Sequence, residues 1–246
     1  MYPCNSYLTG SEKLASFLAS FFALSEDDRT RCSVDFREKF IEAAGLTASH
    51  ADMLLARREW ADESYVHANG FARLIAFVTS CRGFRLRVHV WPQGNRVDNL
   101  NVHNHRYAFA SYVERGTVED VVWCPAENGD VFRRFTYTSR DGSGNYRHEY
   151  TGEQALRVDT VRRVHAGQLY SLSEESFHYT LPAPSSVTVT FFAEDRRQLR
   201  PSAVTYSRHH AVDEVDTFTP SLSHDVYQQI LREHVCGAAV PSGFLL

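Results

Sequence analysis

The chain has no paired or closely spaced cysteines: Cys4, Cys32, Cys81, Cys124 and Cys236 are odd in number and form no Cys-x-x-Cys pair. This argues against a disulfide framework and a cysteine-built zinc site, and each is expected as a reduced thiol. A long hydrophobic run is also missing. The longest stretch near the N-terminus, Leu14 to Leu24, is broken by serines and has neither a basic lead nor a small-residue cleavage pattern. It fits neither a membrane span nor a signal peptide, so a cytoplasmic location without membrane contact is the expectation. Charge of one sign is lacking too: 26 basic against 30 acidic residues leave a net charge of −4, which gives no electrostatic reason to expect nucleic acid. Internal repeats and low-complexity tracts do not occur.

What is present is an ordinary globular composition, 43% hydrophobic and 23% charged, with twelve histidines and 13% aromatic residues. A length of 246 residues suits one large β domain with a helical appendage. Leu14, Phe17, Leu18, Phe21 and Phe22 recur at helical steps, and so do Phe36, Phe40 and Ile41, then Met53, Leu54, Leu55 and Trp60. Helices are therefore expected over Ser11 to Leu24, Val34 to Ala44 and Ser49 to Ala61. From Phe84 to Trp91 the period becomes two, with Arg85, Arg87, His89 and Trp91 on one face.

Further short strands are expected within Asn101 to Arg115, at Val118 to Trp123, Val131 to Tyr137, Gln168 to Leu172, Phe177 to Leu181 and Val187 to Phe192. Turns are read at Glu127 to Asp130 and Asp141 to Asn145. Such a string predicts a sandwich, jelly roll or barrel. Ser223 reads as the N-cap of a last helix through Tyr227, Ile230 and Leu231. The expected organisation is a helical segment over 1–69, a barrel over 70–200 and a C-terminal extension with a helix over 201–246.

His103 and His105 stand two apart on an expected strand, so both imidazoles can face one point, a donor set that suits Fe, Zn, Ni or Cu. The plainer reading is a pair of surface or hydrogen-bonding histidines. His209 and His210 read as surface, His67, His148 and His165 have no spacing that favours a site, and Glu174 and Glu175 read as a solvated turn.

The run from Val102 to Gly116, with His103, His105 and a later turn glycine, resembles the first cupin motif. The position of that motif's glutamate falls on Phe109 or Ala110. The stretch Ala166 to Leu181, with Gly167 at a turn and His178 opening the next strand, is similar to the second cupin motif. The resemblance implies a mainly β, cupin-type double-stranded β-helix (jelly-roll) barrel with one divalent metal on His103, His105 and His178.

Three histidines without a carboxylate resemble the thiol dioxygenase branch, which implies Fe(II), O2 and a small-molecule substrate. The final strand, Val187 to Phe192, lacks that branch's His-x-Tyr pair. An amino-acid-like or carboxylate-bearing molecule other than cysteine is therefore expected. By the same resemblance Arg87 binds the substrate carboxylate, the fork of a guanidinium suiting two parallel hydrogen bonds. Arg106 and Tyr107 are further substrate contacts, and Tyr170 is a proton donor. His89 is open as a fourth ligand, a donor behind the ligands or a core histidine. A homodimer is possible. The other readings are a Zn, Ni or Mn isomerase, lyase or hydrolase, and a non-enzymatic ligand-binding cupin.

Overall fold

Leu14, Leu18, Phe21 and Phe22 lie buried along one side of helix α1 (Asn5–Phe22). The Ser25 hydroxyl accepts from the Asp28 backbone N–H at 3.2 Å and caps a short helix, α2 (Glu26–Arg31). Helix α3 (Ser33–Ala44) buries Phe36, Phe40 and Ala44, and α4 (Arg58–Asp62) buries Trp60 and Ala61. The computed structural model describes residues 5–44, 58–67, 69–79, 83–94, 101–139, 146–208, 214–217 and 219–235. Most of the helix expected over Ser49 to Ala61, the turn at Asp141 to Asn145 and the pair His209 and His210 lie outside these residues.

The strands are β1 (Tyr65–Val66), β2 (Ala72–Val78), β3 (Phe84–Trp91), β4 (Val102–His103), β5 (Ala108–Arg115), β6 (Thr117–Ser139), β7 (Tyr146–His165), β8 (Leu169–Leu172), β9 (Phe177–Pro182), β10 (Thr188–Asp195), β11 (Ser202–Ser207) and β12 (Glu214–Thr217). They form two antiparallel six-stranded sheets, in the orders β1-β2-β3-β10-β5-β8 and β11-β4-β9-β6-β7-β12. From β3 to β10 the chain passes back and forth between the sheets, leaving β3-β10-β5-β8 facing β4-β9-β6-β7. That strand order is a jelly roll, the double-stranded β-helix. Past residue 200, where the sequence signal is weak, β11 and β12 join the second sheet.

Each strand of the first sheet divides its side chains between two surroundings. Phe84, Leu86, Val88 and Val90 of β3, with Val189, Phe191 and Ala193 of β10, form one apolar cluster with α1 and α3. Phe40 stacks on Phe191 at 4.5 Å between ring centroids, and Phe22 on Phe84 at 6.1 Å. Burying each such side chain contributes roughly 1.5–3 kcal/mol. The helices thus cover the outer face of this sheet. The last helix, α5 (His224–His234), joins the same cluster through Tyr227, Ile230 and Leu231. Its N-cap is Ser223, and the Tyr227 hydroxyl donates to the Ile75 carbonyl at 2.7 Å.

The turn expected at Glu127 to Asp130 is not a hairpin turn. Strand β6 runs through it for 23 residues, paired with β7 on both sides of the irregularity. Pro125 and Asp130 both oppose Leu156, so residues 126–129 are a bulge extruded from one strand. Gly129 lies against the Leu156 backbone, where any Cβ would collide. Gly116, between β5 and β6, has φ 83° and abuts Thr188 and Val187, which leaves no room for a side chain.

Candidate metal centre

His103 ends β4 directly opposite His178 of β9. The strand stops there, so His105 lies beyond it, where the chain crosses toward the other sheet. Asn104 holds this crossing in place: its amide donates to the Glu174 carbonyl at 2.9 Å, and its oxygen accepts from the Val204 N–H at 2.7 Å. The two histidines therefore converge through a pinned crossing and not, as expected, by alternation along one shared strand. The three rings form a near-equilateral triangle, with centroids 5.0, 5.2 and 5.2 Å apart.

One donor nitrogen from each ring lies within 4.8 Å of the other two, and His105 Nε2 is 3.0 Å from His178 Nε2. Ligands about 2.1 Å from one ion at right angles would be about 3.0 Å apart, so this donor pair fits a divalent metal. On His103 and His178 the other ring nitrogen is committed elsewhere. His103 Nδ1–H donates to the Asn101 carbonyl at 3.0 Å, and His178 Nδ1–H to Asp120 Oδ1 at 2.7 Å. Both Nε2 atoms are thereby left for the centre. Burial, reinforced by nearby His178, pushes His103 down to about 4, and burial with His103 holds His105 well below the ordinary histidine range. Neutral imidazoles are what a metal requires.

Asp120 escaped the sequence reading. It lies on β6, wholly buried, and its second oxygen accepts from Arg162 Nε at 2.8 Å. Burial raises its carboxyl pKa, but the hydrogen bonds and charges of His178 and Arg162 outweigh that and keep it low. Phe109 stands where the resembled motif has a glutamate, its ring 4.8 Å from that of His105 and 5.3 Å from that of His178. Ala110 points the other way, into the cluster under the helices. An apolar ring thus fills the position of a carboxylate ligand.

The triad opens on a cavity of about 290 Å³ between the sheets. Arg87, His89, Arg106, Tyr107 and Tyr170 all line it, as do His67 and His148, which sequence spacing did not favour. Arg87 is buried and ion-paired with Glu194, and its Nη1 donates to the Tyr107 hydroxyl at 3.1 Å. The carboxylate-binding role expected of Arg87 therefore meets an internal competitor. Glu194 is wholly buried; burial would raise its carboxyl pKa, but the guanidinium groups of Arg87, Arg85, Arg73 and Arg196 hold it low.

Arg106 Nε donates to the Arg200 carbonyl at 2.6 Å. The Tyr107 ring is 5.4 Å from that of His105, and the Tyr170 hydroxyl is 3.4 Å from Thr180 Oγ1. His89 is not in the triad; it sits between Phe71 and Phe192 at 4.8 Å from each. Glu175 is exposed and paired with Arg200, in keeping with a solvated turn.

A jelly roll with an enclosed three-histidine cluster is the class of protein that fold and site define. Its structural neighbours are cupin-type proteins. Hydroxypropylphosphonic acid epoxidase from S. wedmorenis in complex with fosfomycin is 10% identical, over 51% of this chain and 50% of that one, at a TM-score of 0.32. KdgF from Halomonas sp. is 14% identical over 52% and 81%, at 0.30, and an RmlC-like cupin protein from Ralstonia eutropha JMP134 is 15% identical over 70% and 79%, at 0.31. The chain spans about half the length of the epoxidase. No family model matches the chain, and no curated protein matches its sequence. Among the described residues no helix is long and apolar enough to cross a membrane.

Proposed function

We propose that this protein is a non-haem Fe(II)-dependent oxygenase that acts with O2 on a small, carboxylate-bearing substrate. The observation that carries the reading is the donor set: three imidazoles, with no carboxylate among them, around the inner end of an arginine-lined cavity. A ferrous ion bound there would supply redox chemistry with O2 at the positions the protein leaves open. His103 and His178 present Nε2 because their other nitrogens are held by Asn101 and Asp120. Three neutral ligands leave the ion's double positive charge uncompensated, which favours an anionic substrate group beside it.

Arg87 fixes the Tyr107 hydroxyl, and among the described residues five arginines, Arg106 included, against the single carboxylate of Glu194 in the lining make the cavity attractive to an acid. Tyr170 is suited to hold a proton near the centre, since burial raises its hydroxyl pKa and keeps it protonated. The second reading, a non-redox isomerase, lyase or hydrolase, draws on the same donors, because three imidazoles also suit catalytic zinc. Metal analysis of anaerobically purified protein, followed by oxygen-consumption assays with a panel of small acids, separates the two. Iron with substrate-triggered uptake is the expected result. Zinc, nickel or manganese without uptake would move the protein to the second reading, and a chain that binds no divalent metal would overturn both.

A further inference from the structure

The cavity wall on the first sheet carries more positive charge than its own carboxylates answer. Arg87 and Arg196 both face Glu194, the latter at 3.7 Å, and Arg85 meets Glu63 at 3.3 Å. Arg73 differs. It is 5% exposed, and its partners are neutral: the Glu63 carbonyl, 3.0 Å from Nη1, and the Tyr65 ring, 4.7 Å from the guanidinium carbon. Among the described residues no carboxylate lies at ion-pair distance from it, and its buried Nε makes no hydrogen bond. Glu194, whose field Arg73 shares with Arg87, Arg85 and Arg196, does not touch it, and a buried cation touched only by neutral groups is costly unless a further anion joins it.

The surroundings of Arg73 indicate what kind of anion would fit. In the pairing of β2 with β3, Arg73 is opposite His89. His89 is 7% exposed, lines the cavity, and has an Nε2 without a hydrogen-bond partner. Phe71 packs 4.7 Å from Trp91 and 4.8 Å from His89, which in turn lies 4.8 Å from Phe192. An aromatic wall therefore leads from beside Arg73 toward the three histidines, where Phe192 lies 6.2 Å from His105. The cavity volume is at the small end for ligand sites, enough for a molecule of one or two rings.

We infer that Arg73, flanked by His89 and walled by Phe71 and Trp91, is the anion anchor of the cavity, and that its ligand is a planar aromatic carboxylic acid. The carboxylate meets the guanidinium, the ring lies on the aromatic wall, and His89 Nε2 bonds a polar atom of the ligand. Arg87, with Glu194 as its counter-ion, supports this wall and is not the anchor. The inference rests on the proposed function only in taking this ligand to be the substrate; the anchor stands or falls without metal.

The test is therefore made on metal-free full-length protein. Benzoate, benzamide and cyclohexanecarboxylate are titrated by calorimetry and by tryptophan fluorescence, Trp91 being in the wall. Benzoate is expected to bind about tenfold or more tighter than its neutral isostere benzamide and its saturated analogue. Arg73→Gln should bring benzoate down to the level of benzamide, and Phe71→Leu should narrow the gap between benzoate and cyclohexanecarboxylate. Equal binding of benzoate and benzamide, equal binding of the two acids, or no binding of benzoate overturns the inference. So does unchanged benzoate affinity in a folded Arg73→Gln protein; should that variant not fold, the probe comparison and Phe71→Leu decide. Iron-dependent oxygen uptake on an aliphatic acid without benzoate binding would remove this inference alone, while benzoate binding without oxygen uptake would leave it standing and remove the oxygenase.

Discussion

His178 and Asp120 are 58 residues apart in the chain, yet Nδ1 of one lies 2.7 Å from Oδ1 of the other. Strand β6 makes the meeting possible. It is flanked by β9 and β7, so Asp120 lies between Thr180 on one side and Arg162 on the other. The carboxylate accepts a hydrogen bond from the ring N–H, fixes the tautomer and turns the other nitrogen toward the centre.

Asp120→Asn should therefore weaken divalent-metal binding roughly 10- to 100-fold while leaving the three imidazoles in place. Metal titration of the apoprotein, with circular dichroism to confirm the fold, measures this. Parent-like affinity in a folded variant would show that Asp120 does not tune His178.

The parts legible in the sequence were those with a local period. The two-residue alternation of β3 separates Arg85, Arg87, His89 and Trp91 from the helix-facing side, and the cap at Ser223 starts α5 where expected. His103 and His105 could be paired because only Asn104 separates them. Asp120, Glu194 and Arg73 carry no such signal. Each matters through a cross-strand neighbour, and strand register is a property of the assembled sheet. The bulge at residues 126–129 misled for a related reason: Asn, Gly and Asp favour a turn by themselves, but continued pairing with β7 on both sides overrides that preference.

Stability should fall as the solution is acidified below about pH 6.5, the ordinary histidine pKa. Burial pushes His67 down to about 3 and His103 to about 4. Between pH 6.5 and about 4 the unfolded chain binds protons that the folded chain refuses, so their contribution is present above this window and is lost as pH falls through it. His89 and His105, also held well below the usual range by burial, act in the same direction. Thermal melts of the apoprotein at pH 7 and pH 5 are expected to differ by more than about 5 °C, a shift worth roughly 2 kcal/mol. A flat profile would mean that these rings are solvated.

Glu194→Ala tests the buried pair with Arg87. Removing the carboxylate leaves a buried guanidinium without its counter-ion, which costs about 3–5 kcal/mol and should lower the melting temperature by roughly 6–20 °C. An unchanged melting temperature would require that Arg196, Arg85 and Arg87 reach water without Glu194.

Phe40 offers a control that separates stability from chemistry. Its ring stacks on Phe191 with 4° between the planes, on the outer face of a strand whose inner face contributes Phe192 and Glu194 to the cavity. Phe40→Ala should cost about 3–5 kcal/mol through the lost burial and the cavity it leaves. Because the helices cover that outer face, metal affinity and the binding of small acids should stay within about twofold of the parent wherever the variant remains folded. Chemical denaturation with parallel metal titration measures both quantities. A loss of affinity larger than the loss of folded protein would mean that α3 shapes the cavity from the far side of the sheet.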